Sequence, residues 1–441
     1  MEVTQPAGTV QMPNAGERGN WPPPWLFVLM PLTYGVFAGY VQTALPWLLR
    51  HMGYPVDSIG TIVALILSPM AFYFVSSPLL DFGLRRRTWM LLVSALAGVL
   101  MAAAIVLLGS NMVLAKWLLF AGFVCSLLSS SCGGTLVAVT QSEHGKAKAA
   151  AWLQGGALAA QALGGAVLLY CSKHLTVRVL AVVAALLVAL PAVVALTIPE
   201  PPVQSDLKKL KETCLTMGRE IRATLFSLKS LPGLLLLVSP VGTGAAQSLF
   251  AAMAQDYHVG VQGVLMLNGM LGAVLNMAGA SVAIVVPAHW DRRICYVAAG
   301  LSSACAGIFL TFAPLTPVTY YAGVAGYIFT AGICWGFFLG VVMVTMGEAG
   351  ISAGSRYSIL VSLGDLPIVY MTVVEARSYG VFGTRGVPGA DAMGNVIVVA
   401  CVAVWLMIRM KRRGRGAAVA DGEHTGSYRV IGAAMEPAAL E

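Results

Sequence analysis

Asp365 sits halfway along an otherwise apolar run, Ser355 to Arg377 (SRYSILVSLGDLPIVYMTVVEAR), and is the residue of this chain best placed to do chemistry. At 1.5 Å per helical residue the run is long enough to cross a bilayer, with Asp365 about 15 Å from its start, near the bilayer centre. A charge there costs on the order of 3 kcal/mol or more unless it meets a watery cavity or a partner. Low-dielectric surroundings also disfavour the ionised form of a carboxyl. The chemistry on offer is therefore proton pick-up and release, or contact with a polar solute. Pro367 removes the backbone hydrogen bond to Leu363 and loosens the helix beside the acid. Ser358, Ser362 and Thr372 share its helical spacing, Ser362 one turn away on the same face. Glu375, near Arg377, reads as an ion pair at the membrane interface.

Other polar side chains fall at spacings that could build a cavity around this acid. Gln42 shares a helical face with Gly35 and Gly39; Gln154 and Gln161 are seven apart and so nearly aligned. Thr243 and Gln247 form a further set, and Asn268, Gly272 and Asn276 another. Any one amide serves equally well as interhelical glue, worth about 0.6 kcal/mol. Taken as a set, they read as the wall of a cavity that takes a small molecule and protons.

The elements that must position these residues are membrane helices. The chain is 58% hydrophobic and 10% charged, where soluble domains run near 25% charged; its mean hydropathy is +0.80. Uncharged runs of spanning length recur at Trp25 to Leu49, Ser58 to Leu80, Thr88 to Val113, Trp117 to Gln141, Ala149 to Ser172 and Val179 to Ile198. Gly233 to Gln255 and Val259 to Val286 follow. Ile294 to Gly347 carries no charge at all, which is too long for one helix, and must turn at the prolines of Ala313 to Pro317. With Tyr357 to Ala376 and Ala392 to Ile408 the expected count is twelve. A transmembrane barrel is excluded, because its signal is a weak ten-residue alternation. The fold class is an all-α membrane protein.

Charge placement orients the helices. With the N-terminus in the cytoplasm, 21 of the 27 Lys and Arg fall on inside segments and only Arg50, Lys116, Lys173, Arg178, Arg377 and Arg385 outside. One missed helix would invert every later loop. The expectation is a multi-pass protein of the cell membrane with both termini cytoplasmic. Its net charge of +8 reports this orientation and contact with anionic lipid, not nucleic acid. Residues 1–24 carry no basic n-region and form an N-terminal tail; 411–441 are a polar C-terminal tail. Between the six-helix halves 25–198 and 233–410 lies a linker, 199–232. Its Asp206 to Leu228 stretch has the three-and-four apolar spacing and basic face of an interfacial helix.

The halves repeat each other. Met30-Pro31-Leu32-Thr33-Tyr34-Gly35 matches Ser239-Pro240-Val241-Gly242-Thr243-Gly244 in its proline and glycine at a constant offset, and Gly60 and Gly263 each open the following helix. Asp81 with Arg85 and Arg86 has a counterpart in Asp291 with Arg292 and Arg293, each at a helix end on the inside. Charge pairs there could latch one half to the other. Glu143, His144 and Glu348 lie on the same side.

Pro78-Leu79-Leu80-Asp81-Phe82-Gly83-Leu84-Arg85-Arg86-Arg87 resembles the loop signature of the major facilitator superfamily, roughly G-x-L-x-D-R-x-G-R-R, with Ser77, Phe82 and Leu84 departing from it. The stretches Ala44 to Leu48, Gly60-Thr61, Ser76 to Asp81 and Arg356 to Leu363 resemble its muropeptide permease branch, which includes acetyl-coenzyme A transporters. The resemblance implies two parallel six-helix pseudo-repeats. In it, helices 1, 4, 7 and 10 line a central cavity, 2, 5, 8 and 11 flank it, and 3, 6, 9 and 12 face lipid. Helix 3 offers little but Ser94, helix 6 is Val, Ala and Leu, and helix 12 is polar only at Asn395, in keeping with that. The family's antiporter proline in helix 5 is absent from Gln154 to Gln161, which favours symport or uniport.

No H-E-x-x-H, G-x-S-x-G or phosphate loop appears, and the six histidines sit in loops, tails or helix ends, so no enzymatic activity, cofactor or metal is expected. The eight cysteines read as small packing residues. The reading is a monomeric secondary transporter of a small polar or amphipathic solute, coupled to protons through Asp365. The alternatives are a uniporter or an exporter of another metabolite such as a drug or coenzyme A ester, and more remotely a non-transporting membrane scaffold or enzyme.

Overall fold

The computed structural model describes residues 22–75, 84–141, 143–198, 215, 218–219, 222, 230–287, 289–346 and 353–405. Asp81, Glu348, both tails and nearly all of the amphipathic linker lie outside the described residues.

Among the described residues the membrane segments are helical and number twelve. We label them α1 (Pro24–His51), α2 (Val56–Phe72), α3 (Arg86–Leu107), α4 (Met112–Thr140), α5 (Glu143–His174) and α6 (Val177–Thr197). In the second half, α7 comprises Leu231–Val238 and Gln247–Met253, followed by α8 (Val261–Val285), α9 (Arg292–Phe312), α10 (Pro317–Met346), α11 (Ala353–Phe382) and α12 (386–405). The proline turn between α9 and α10 falls where the sequence places it. Three expectations need correction. The seventh crossing is not continuous, because Gly242 and Gly244 adopt φ of +61° and +65° and unwind residues 239–246. The eleventh helix does not stop at Ala376 but runs to Phe382, and a single turn, Gly383–Arg385, hands over to α12. Arg377 is thus a helical residue, exposed on the outer surface of α11.

The two halves repeat their internal packing: α3 lies against α4 and α6, and α9 lies against α10 and α12. Between the halves, α1 meets α7, α2 meets α11 and α5 meets α8. Small residues set the closest approaches. A Cβ on Gly39 would strike the Gln161 carbonyl, and one on Gly156 the Val28 carbonyl, so α1 and α5 pack backbone against backbone. The lipid-facing helices expose large apolar side chains, Leu92, Leu96 and Val99 on α3 and Val182, Leu186 and Val193 on α6 among them. Ser94 does not face lipid. It is buried, bonded to Ser129 at 2.8 Å and to Thr33, whose hydroxyl also donates to the Val188 carbonyl, so the polar atoms tie α1, α3, α4 and α6 together.

Candidate functional site

The break in α7 decides the shape of the site. Unwound backbone inside a membrane needs partners for its carbonyl and N–H groups. Neighbouring helices supply them: Tyr296 of α9 donates to the Val241 carbonyl at 2.6 Å, and Tyr370 of α11 to that of Val238 at 2.8 Å. Asn395 of α12 accepts from the Gly242 N–H at 2.8 Å. The unwound segment is therefore held in a fixed shape, and it presents Thr243, Gly244 and Gln247 to the middle of the molecule.

A cavity of about 570 Å³ lies there, between the halves. The first half contributes Tyr34, Gln42, Ser131, Gln154 and Gln161, the second Thr243, Gln247, Asn268, Asn276 and Asp365. Phe250, Trp335 and Tyr357 add aromatic surface. All six amides singled out from the sequence reach this cavity. Two of them are also glue, since Gln161 Nε2 donates to Gln42 Oε1 at 3.1 Å across α5 and α1. The Asn268 and Asn276 side-chain carbonyl oxygens are buried and have no donor among the described residues.

Asp365 lines the cavity from α11 and is 5% exposed. No Lys, Arg or His stands among the described residues that line it with Asp365. Beside Pro367 a gap of about 10 Å³, wide enough for one water, touches Thr243, Trp335 and Gly364. Ser362 does not join the acid in the cavity. It is fully buried, and its hydroxyl has no partner.

Of the charged residues expected to latch the halves, Asp81 lies outside the described residues. Asp291 caps its own helix by accepting from the Arg293 N–H at 2.9 Å, and the stem of Arg292 lies over Gly340 of α10, within the same half. Arg85 is the exposed residue preceding α3, and Arg86 opens that helix. Charged contacts that cross between the halves are found at the opposite end of the bundle. Arg50, at the end of α1, bonds Asp256, beyond the end of α7, at 2.9 Å. Tyr379 of α11 and Thr384 also donate to Asp256, at 2.8 and 2.9 Å, and the Arg50 guanidinium lies over the Tyr379 ring. These groups join the first half to the second on that face.

Glu375 is not paired with Arg377. It is fully buried, and no donor reaches either carboxyl oxygen. Residues two apart on a helix do not face each other, so the exposed Arg377 points elsewhere. Asp256, Tyr379 and Thr384, which join the halves, were not singled out from the sequence, because no local pattern marks them.

The chain matches the family model described as Major Facilitator Superfamily over residues 27–371. Solved structures with the same fold include a POT family transporter in complex with 5-aminolevulinic acid (TM-score 0.66, 10% identity, covering 86% of this chain and 95% of that one). A D-xylose-proton symporter (0.65, 13%, 86% and 95%) and the nucleoside transporter NupG (0.56, 13%, 86% and 98%) share it as well. A search of curated protein sequences returned no match.

Proposed function

The chain belongs to the major facilitator superfamily, and from that membership we propose that it moves a small polar or zwitterionic solute by alternating access, in symport with protons carried by Asp365. One observation supports this reading above the others: the acid is the charged group of a cavity otherwise lined by amides, hydroxyls and aromatic rings. A strongly anionic solute such as a coenzyme A ester calls for Arg or Lys in the wall, and the described wall has neither. The cavity volume suits a drug-sized solute. The muropeptide-branch resemblance makes a sugar-peptide the first candidate. By the charge rule, the Arg50 face is the outer one.

The substrate comes first: purified protein screened by thermal shift against cell-wall fragments, sugars, nucleosides, amino acids and organic acids. With the best stabiliser in hand, proteoliposomes carrying Asp365→Asn are expected to lose uptake driven by a pH gradient while keeping solute exchange, since exchange needs no net proton release. Normal gradient-driven accumulation by that variant removes Asp365 from the coupling role.

A further inference from the structure

Behind the wall of the cavity, away from Asp365, the second half buries two more carboxyl groups. Glu375 on α11 and Asp391 on α12 are both fully buried, Glu375 about 11 Å from the end of its helix and Asp391 about 8 Å into the next by helical rise. Their carboxyl groups lie within hydrogen-bonding reach of each other. Polar groups of the neighbouring elements face them, and on the α2 side Asp57 lies against α11 at Gly380, about a turn beyond Glu375. From α10 come the hydroxyl of Tyr327 and the thiol of Cys334, and from the unwound part of α7 the hydroxyl of Thr243. One turn along α12, Asn395 Nδ2 donates to Asp391 Oδ2 at 3.2 Å. Among the described residues no cation pairs with either acid.

Two carboxylates in contact cannot both be charged in a site without a cation, because like charges repel and neither is solvated. Two carboxyls that each lack enough donors can satisfy each other only through a proton between them. Both acids are short of donors: among the described residues none reaches either Glu375 carboxyl oxygen, and Asp391 Oδ1 is unpaired as well. Thr243 belongs both to this cluster and to the cavity wall.

We propose that Glu375 and Asp391 form a proton-holding carboxyl pair, a second protonation site separate from Asp365 and reached from the cavity past Thr243. One bound proton leaves the pair with a single negative charge, and a second makes it neutral. The proton comes from and returns to water in the cavity, so nothing is oxidised or reduced. Glu375 and Tyr379 are four residues apart on one face of α11, and Tyr379 donates to Asp256, the partner of Arg50. The pair therefore sits one helical turn from the Arg50 contacts. Its existence does not depend on Asp365 carrying the coupling proton.

The test needs no substrate. Infrared spectra of the full chain in nanodiscs, followed over a pH series in H₂O and D₂O, report the carbonyl stretch of protonated carboxyls. The wild type is expected to show such a component at neutral pH, shifted in D₂O and reversibly lost in alkaline medium. Glu375→Gln and Asp391→Asn should each remove or displace it, while Asp365→Asn leaves it in place. A component that persists unchanged in Glu375→Gln, or that disappears only in Asp365→Asn, overturns the pair. A component constant over the whole pH series is a fixed structural hydrogen bond and overturns it equally. If the two acid variants do not reconstitute, Tyr327→Phe and Thr243→Val keep both carboxyls and should move the band frequency; no movement in either sinks the proposal.

Discussion

Asn395 shows how much one side chain can settle inside a membrane. Its carbonyl oxygen accepts the Gly242 N–H, and its amide nitrogen donates to both the backbone and the carboxyl of Asp391. Asn395→Ala strips a partner from three buried groups at once, the Gly242 N–H and the carbonyl and carboxyl of Asp391. The expected loss is at least about 3 kcal/mol, since each orphaned buried group costs roughly 1–3 kcal/mol. It should appear as a lowered thermal midpoint in detergent. Ser362 makes the opposite case. Its buried hydroxyl has no partner, so Ser362→Ala should leave stability unchanged or raise it by up to about 1 kcal/mol. A marked loss on the same assay would mean that the hydroxyl has a partner after all.

At the scale of the helix, the close approach of α1 and α5 depends on glycine. Gly39 faces the Gln161 carbonyl, a backbone atom that cannot swing aside, whereas Gly155 has open space where its Cβ would go. Gly39→Ala should therefore destabilise by more than about 2 kcal/mol, in the range of overpacked cores. Gly155→Ala, on the same α5, should be neutral or gain up to about 1 kcal/mol from helix propensity. Equal behaviour of the two in a melting experiment would refute the backbone contact. Much at this scale was legible in the sequence. Apolar runs, loop charges and the prolines near 314–317 gave the crossings, and amide spacing gave six wall residues. The rest depended on information that no local window carries. The break in α7 follows from two glycines whose unusual torsions become affordable only because tyrosines of α9 and α11 and Asn395 of α12 hold the freed backbone. Glu375 and Arg377 are sequence neighbours, yet a helix turns them to different faces. Arg50 and Asp256 are 206 positions apart, and nothing in either neighbourhood announces the other.

For the molecule as a whole, the state seen here is held by contacts between the halves on one face. Asp256→Ala removes the acceptor shared by Arg50, Tyr379 and Thr384. Charge-assisted hydrogen bonds contribute about 1.5–3 kcal/mol where partly shielded from water. The variant should therefore shift a measurable share of molecules to the state open on the Arg50 side. In a background with the native cysteines replaced, labelling of Ser131→Cys in the cavity wall by an impermeant maleimide from that side should rise severalfold. Unaltered labelling would reduce these contacts to decoration. Orientation is tested in the same background: Ser110→Cys, in the exposed turn between α3 and α4, should react from outside intact cells, and Ser205→Cys should not. Reaction of Ser205→Cys from outside inverts the topology.

Contacts that hold the halves together on the Arg50 face also make the two sides of the membrane unequal to an arriving solute. A solute that can enter only the minor conformer has its dissociation constant divided by that conformer's population. A bias of about 3 kcal/mol corresponds to roughly 150-fold. Right-side-out and inside-out vesicles of the same preparation would thus report different apparent affinities for one cavity with one set of contacts. Measured sidedness of binding becomes a gauge of how firmly Asp256 holds its three donors.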